Sequence, residues 1–167
     1  MPIMQFSYFP WNYAPATALI AKNYAVLHKA LEGYLFEQAH QRQAPLMRSL
    51  WYDYPHQPDY YSIADEFLLG SDILVAPVMN EYCVARDIVL PPGQWRDAWT
   101  GTTYEQGTIL QHPAPCPGIP LFVRAERGQL FESLNRVLAT FERGTMTPGV
   151  ISATYACGLD RDLSVTG

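Results

Sequence analysis

The feature that most restricts the fold of this chain is a series of short apolar segments between residues 45 and 125. They are rich in β-branched and aromatic residues, and proline, glycine and aspartate separate them, as in the turn signal Pro91-Pro92-Gly93. Short strands joined by regularly spaced turns are typical of an antiparallel sandwich. The segments that we expect to form strands are "LMRSLWYDY", "DILVAPV", "RDIVL", "QWRDAWTG", "TILQH" and "IPLFVRA".

Six apolar residues of these segments are expected to form the core, because two facing sheets bury their inward residues against each other. They are Val75, Ile88, Leu90, Trp95, Leu121 and Val123. The charged residues between them, Arg86, Asp87 and Arg96, are expected to point outward or into turns. Replacing each of these charged residues with alanine should then change the stability by less than about 0.5 kcal/mol.

Two helices are predicted on either side of the sandwich. Over residues 15–42, apolar residues recur at helical spacing on one face, and Pro15 suits the first turn. A second helical pattern covers residues 129–143 and ends at Gly144. The residues on the apolar face of the first helix are Ile20, Tyr24, Leu27, Leu31 and Tyr34.

Composition and charge argue against several classes of function. The net charge is −5 and no lysine- or arginine-rich stripe is present, so nucleic acid is not an expected partner. A membrane is not expected either, because no apolar run reaches the ~20 residues that a membrane helix requires. The widely spaced Cys83, Cys116 and Cys157 favour reduced thiols, and no basic secretory signal follows Met1. A cytoplasmic location is therefore expected.

Three acids, Asp65, Glu66 and Asp72, are candidates for the paired carboxylates of a glycosidase, which flank one bond at ~5 Å or ~6.5–9.5 Å. Adjacent residues on a strand point to opposite faces, so Asp65 and Glu66 are not expected to form such a pair. Asp72 belongs to a Gly-Ser-Asp sequence that predicts a turn between two buried strands. Because turn chemistry explains all three acids, we interpret them as structural.

A metal site at His112 and Cys116 is not favoured. Zinc needs three or four ligands in short paired spacings, and the sequence has no second pair. The sequence also lacks a nucleophile elbow and the glycine motifs that bind phosphates or dinucleotides. We therefore expect no metal and no cofactor, and these motifs assign no catalytic residue.

The tryptophans offer a second kind of candidate site, because aromatic faces suit the C–H faces of pyranose sugars. Trp11, Trp51, Trp95 and Trp99 are the candidates for such stacking platforms. The alternative is that large aromatic side chains anchor the β core, and this interpretation is favoured for most of them.

Four segments in a fixed order resemble the end of the catalytic region of glycoside hydrolase family 31, the α-glucosidase and α-xylosidase family. They are "PLMRSLWYDYP", "DEFLLGSDILVAPV", "RDIVLPPGQWRDAWTG" and "APCPGIPLFVRA". The resemblance extends to the preceding helix and to "MPIMQFSYFPW". It implies that residues 1–44 are the last strand and helix of a (β/α)8 barrel and that residues 45–125 are the proximal sandwich. Residues 126–167 would be a divergent, partly helical tail.

The resemblance also implies a retaining glycosidase that acts on α-glycosidic bonds of an oligosaccharide or glycoside. Its two catalytic aspartates lie on earlier barrel strands, so this chain would hold no catalytic residue and would be inactive alone. Gln5, Phe6 and Ser7, at the carboxyl end of the last barrel strand, would line the substrate pocket. Gln5 and Ser7 stand where many members have arginine and histidine, so the sugar and the linkage stay open.

Without the rest of a barrel, the apolar face of the helix at 15–42 is expected to expose several hundred Å², an area that marks association. The alternative function is a stand-alone carbohydrate-binding or structural sandwich module. The helix at 15–42 distinguishes this alternative from a truncated enzyme. A free binding module has no use for a barrel helix, whereas a truncated enzyme would retain one.

Overall fold

The fold was analysed in a computed structural model, which describes residues 9–12, 15–42, 44–79, 85–114 and 118–141. The helices are a 3-10 turn at Pro10–Asn12, α1 (Pro15–Ala30), α2 (Glu32–Arg42), α3 (Leu50–Asp53), a 3-10 helix at Pro58–Ser62 and α4 (Gly128–Ala139). The strands are β1 (Met47–Ser49), β2 (Phe67–Leu69), β3 (Ile73–Val75), β4 (Ala85–Leu90), β5 (Trp95–Asp97), β6 (Thr103–Tyr104), β7 (Gly107–Pro113) and β8 (Leu121–Arg124). No helix within these ranges is long and apolar enough to cross a bilayer.

The strands form two antiparallel sheets. A six-stranded sheet has the order β1-β2-β3-β8-β5-β6, and β4 pairs with β7 in a second, two-stranded sheet. The register places Leu68 opposite Leu74, and Leu74 opposite Phe122, across three neighbouring strands. The predicted class, a mostly β fold of antiparallel sheets with a few helices, is confirmed.

One core lies between the two sheets. Leu68, Leu74 and Phe122 of the large sheet pack there against Ile88 and Leu90 of β4. All six residues predicted to be buried are buried, although they divide between two cores. Ile88, Leu90 and Trp95 lie between the sheets, whereas Val75, Leu121 and Val123 face the helices.

The second core lies on the outer face of the six-stranded sheet, where the helices pack. Leu27, Leu31 and Tyr34 are only 6–7% exposed and cluster with buried residues of the sheet. Helix α4 adds Phe131 and Leu134 to the same cluster. The prediction that the helix leaves an exposed apolar stripe is therefore wrong, because the sheet and α4 cover that stripe.

Two of the predicted segments differ in their boundaries. The helix over 15–42 is interrupted at Leu31, whose N–H is shared between the carbonyls of Leu27 and His28 at 3.1 and 3.2 Å. The segment "LMRSLWYDY" is a strand only in its first part and turns into α3 at Leu50. A short apolar run does not by itself distinguish a strand from a buried helix, which explains the error.

The second predicted helix corresponds to α4, and its predicted end at Gly144 lies outside the described residues. The division into residues 1–44, 45–125 and 126–167 stays a prediction.

Candidate functional site

The predicted substrate-lining residues Gln5, Phe6 and Ser7 lie outside the described residues, so their role stays a prediction. The first described residues after them include Phe9 and Trp11. These two rings stack at a centroid distance of 4.7 Å with 13° between their planes, and both are exposed.

Asp65 and Glu66 converge on one arginine. The Nη2 atom of Arg86 lies 2.9 Å from Asp65 Oδ2 and 3.2 Å from Glu66 Oε1. The argument that adjacent acids point apart does not apply, because both residues precede β2 and are not part of the strand. The Arg86 side chain is only 11% exposed, so the prediction that it points outward is wrong.

Glu66 joins the two sheets. Its carboxylate is buried and accepts the backbone N–H of Val89, in β4, at 3.0 Å. Burial raises the pKa of Glu66 to about 7, against the opposing effects of the Val89 N–H and Arg86. A carboxylate with a raised pKa can serve as a general acid, but this one is buried and held by a backbone donor and an arginine. The structural interpretation of Asp65 and Glu66 is therefore retained.

Asp72 lies in the predicted turn between β2 and β3, and the turn is attached to α2. The Tyr34 hydroxyl donates to the Leu69 carbonyl at 2.9 Å and accepts the Asp72 N–H at 3.0 Å. Gln38 Oε1 accepts the N–H of Ser71 at 3.0 Å. The Asp72 carboxylate lies 3.4 Å from Nε of Arg127, so it holds the start of α4 instead of a substrate.

His112 is a structural residue of the inter-sheet region. Its Nε2 lies 3.3 Å from Asp97 Oδ2, and both residues are buried. Burial alone would raise the pKa of Asp97, but hydrogen bonds from His112, the Trp99 N–H and Thr100 outweigh it and lower the pKa. Since Asp97 accepts, Nε2 carries the hydrogen, and no group of the described chain bonds to His112 Nδ1.

A metal at His112 finds no support in the described part of the chain. Cys116 lies outside that part, and no group of three or more histidine, cysteine, aspartate or glutamate side chains within it could hold a metal ion. His112 is already committed to Asp97.

The four tryptophans divide into two classes. Trp95 is fully buried, with its Nε1–H donated to the Pro91 carbonyl at 2.8 Å, and the half-buried Trp99 donates to Ile119 at 2.7 Å. Trp11 and Trp51 are 68% and 42% exposed. The core-anchor interpretation thus holds for Trp95 and Trp99, while Trp11 and Trp51 keep an accessible surface.

Two of these arrangements have no signal in the sequence. Arg86 lies twenty positions from Glu66 in the chain, and His112 lies fifteen from Asp97. These partners become neighbours only when the two sheets pack against each other. The prediction that Arg96 points outward or into a turn is also wrong, because its guanidinium lies 3.5 Å from the centre of the Phe131 ring of α4.

Two packed antiparallel sheets define a β-sandwich domain. Among the described residues, no catalytic carboxylate pair is assembled. The family model for the glycosyl hydrolase family 31 C-terminal domain matches residues 43–127. The chain therefore belongs to glycoside hydrolase family 31, and the resemblance found in its sequence is confirmed.

Two relatives show how much of the family's length is present. Alpha-glucosidase 2 of Bacillus thermoamyloliquefaciens is 34% identical over 118 residues, which are 69% of this chain and 15% of the relative. The 1,3-alpha-isomaltosidase of Kribbella flavida is 32% identical in an alignment of 147 residues, and the match covers 76% of this chain and 20% of the relative. The chain thus spans about a fifth or less of the relatives' length.

Solved structures of the family agree with this assignment. A GH31 sulfoquinovosidase from E. rectale superposes with a TM-score of 0.67 at 27% identity, over 78% of this chain and 20% of that one. A GH31 dextranase of Flavobacterium johnsoniae, complexed with isomaltotriose, gives a TM-score of 0.63 at 32% identity, over 69% of this chain and 15% of that one.

Proposed function

We propose that this chain supplies the C-terminal domain of a retaining glycoside hydrolase that cleaves α-glycosidic bonds in oligosaccharides. The observation that carries the proposal is the family match over residues 43–127, which falls on the β-sandwich. Relatives named alpha-glucosidase and 1,3-alpha-isomaltosidase support the class of bond. By the same resemblance, Gln5, Phe6 and Ser7 would contribute to the substrate pocket. The cytoplasmic location is proposed from the widely spaced cysteines alone.

The isolated chain is proposed to be inactive. Retaining hydrolysis needs two carboxylates about 5 Å apart on either side of the glycosidic bond. The adjacent acids Asp65 and Glu66 are both held by Arg86, and Asp72 is held by Arg127. A full barrel takes about 250 residues, and both catalytic aspartates would belong to that part of the enzyme.

The sandwich would support the catalytic unit through the helices that it carries. The buried face of α1 and α2 packs on the six-stranded sheet, and Tyr34 and Gln38 bond to the β2–β3 turn. Arg48 of β1 also holds this turn, donating to the Gly70 carbonyl at 2.8 Å. If α1 and α2 are the last barrel helix, these contacts would fix its position relative to the sandwich.

The activity of the purified chain tests this proposal. Incubation with aryl α-glucosides and α-xylosides should give no turnover, whereas a complete family member assayed in parallel should release the aryl group. Turnover by the chain that survives repurification and disappears in Asp65→Asn or Glu66→Gln would overturn the proposal. Independently, the coding sequence upstream of residue 1 should encode a barrel that contains the two catalytic aspartates. An upstream sequence that encodes no such barrel would also overturn the proposal.

A further inference from the structure

Three aromatic side chains project from the segment that connects β1 with β2. Trp51, Tyr52 and Tyr61 are 42%, 46% and 62% exposed, and we call them the aromatic surface. The Trp51 and Tyr61 rings lie 5.8 Å apart with 10° between their planes, and Tyr52 meets Trp51 edge-on at 6.3 Å. The three rings are therefore in contact through Trp51 and accessible to solvent.

The inner side of the same segment is anchored. Leu50 is fully buried in the inter-sheet core, and Tyr54 and Tyr60 pack against that core, edge-to-face at 5.8 Å. The Tyr54 hydroxyl also bonds to Arg124 of β8. Because the backbone under the aromatic surface is fixed on its inner side, a ligand would bind without ordering a flexible loop, which lowers the entropic cost of association.

The charges around the aromatic surface favour a neutral ligand. Residues 49–66 contain four acids and no lysine or arginine, but Asp53 pairs with Arg48, and Asp65 and Glu66 pair with Arg86. The segment therefore has no basic group of its own to attract an anion, and its ion pairs leave little unbalanced charge for a charged ligand. The exposed His56, Gln57 and Asp59 lie in the same segment, between Tyr52 and Tyr61, and their side chains carry hydrogen-bond donors and acceptors. Flat aromatic faces next to uncharged and acidic polar groups suit a molecule with apolar C–H faces and many hydroxyls.

We propose that the aromatic surface binds a neutral oligosaccharide, with one pyranose ring stacked on Trp51 and its hydroxyls bonded to the adjoining polar side chains. The choice of α-linked glucans as the class of sugar rests on the proposed function. The binding itself requires no catalytic residue, so the chain can be tested as it is.

Affinity electrophoresis tests the proposal with named sugars. The purified chain is run in native gels that contain dextran or glycogen, and isomaltotriose is added as a soluble competitor. We expect the wild-type chain to be retarded and the competitor to release it. Trp51→Ala should weaken binding roughly tenfold and Tyr61→Ala several-fold, as lost aromatic contacts of this kind imply.

Phe36→Ala is the matched control, because Phe36 is also an exposed aromatic residue but lies on α2, outside the aromatic surface. It should bind as the wild type does, and circular dichroism should show that all variants are folded. Trp51→Phe, which keeps an aromatic face, should retain part of the affinity. This partial rescue distinguishes stacking from a loss of structure.

Three results would overturn the proposal. These are no retardation in either glucan, retardation that persists unchanged in Trp51→Ala, or self-association that depends on Trp51 without any sugar binding. The last result would identify the aromatic surface as a protein interface. None of these results bears on the proposed hydrolase function. That function is tested by the turnover assay and, separately, by the coding sequence upstream of residue 1.

Discussion

Replacing Trp95 with alanine removes the largest fully buried side chain of the inter-sheet core. Its indole nitrogen donates to the Pro91 carbonyl at 2.8 Å, and the guanidinium of Arg124 lies 4.1 Å from the centre of the ring. On β5 its backbone pairs with Tyr104 of β6 and with Arg124 of β8. The substitution therefore leaves a cavity, an unpaired carbonyl and an arginine without its aromatic neighbour.

The size of the loss follows from these contacts. Truncation of a buried tryptophan to alanine typically costs about 3–5 kcal/mol. Losing the hydrogen bond to the buried Pro91 adds on the order of 1 kcal/mol. Since a domain is usually stable by about 5–15 kcal/mol, Trp95→Ala should lose a large share of its stability. At a urea dependence of about 2 kcal/mol/M, a loss of 4 kcal/mol moves the midpoint by roughly 2 M.

Urea unfolding followed by far-ultraviolet circular dichroism measures this loss, because the substitution itself removes a fluorophore. Trp11→Ala is the matched control: the same atoms are removed from an exposed site, and the midpoint should stay within about 0.5 M of the wild type. Equal midpoints for the two variants would show that Trp95 is not buried between the sheets. The register of β5 against β6 and β8 would then be wrong.

Three further predictions concern charged residues, each measured by urea unfolding. Arg86→Ala should cost about 3–5 kcal/mol, because it leaves the buried Glu66 unpaired, while the same substitution at the exposed Arg136 of α4 should cost less than about 0.5 kcal/mol; similar losses would contradict the bridging role of Arg86. Since burial raises the pKa of Glu66 from 4.5 to about 7, its folded state binds a proton more tightly. The wild type should therefore lose stability relative to Glu66→Gln as the pH rises from 4.5 to 7, and a constant difference would refute this. Asp97→Asn should cost about 1–3 kcal/mol at neutral pH. Because the pKa of Asp97 is lowered in the fold, that cost should shrink as the pH falls below 3.8, and a cost that does not shrink would argue against the His112 contact.

Much of the sandwich could be predicted from the sequence, because its strands are short apolar segments bounded by turn residues. The alternation that buries Ile88 and Leu90 but exposes Asp87 is visible in "RDIVL" itself. Helical spacing likewise placed Leu27, Leu31 and Tyr34 on one buried face. These features depend on local periodicity, which a single sequence carries.

The partners of buried charges could not be predicted in the same way. The outward position was predicted for Arg86 from its charge, although strict alternation along the strand puts Arg86 on the same face as Ile88 and Leu90. Its partners Asp65 and Glu66 become neighbours only when the two sheets pack. Gln5, Phe6 and Ser7 rest on the resemblance alone, since neither local periodicity nor the described structure bears on them.

The apolar face of α1 and α2 is buried because β3 needs apolar neighbours on both of its faces. Every residue of this strand is buried, so the strand needs apolar cover on both faces, which a sandwich with one solvated face does not provide. Leu74 points to the small sheet, and Ile73 and Val75 point to the helices. Removing α1 and α2 would therefore expose the sheet as much as the helices. The helices and the six-stranded sheet should consequently unfold as one cooperative unit, because each buries the apolar face of the other.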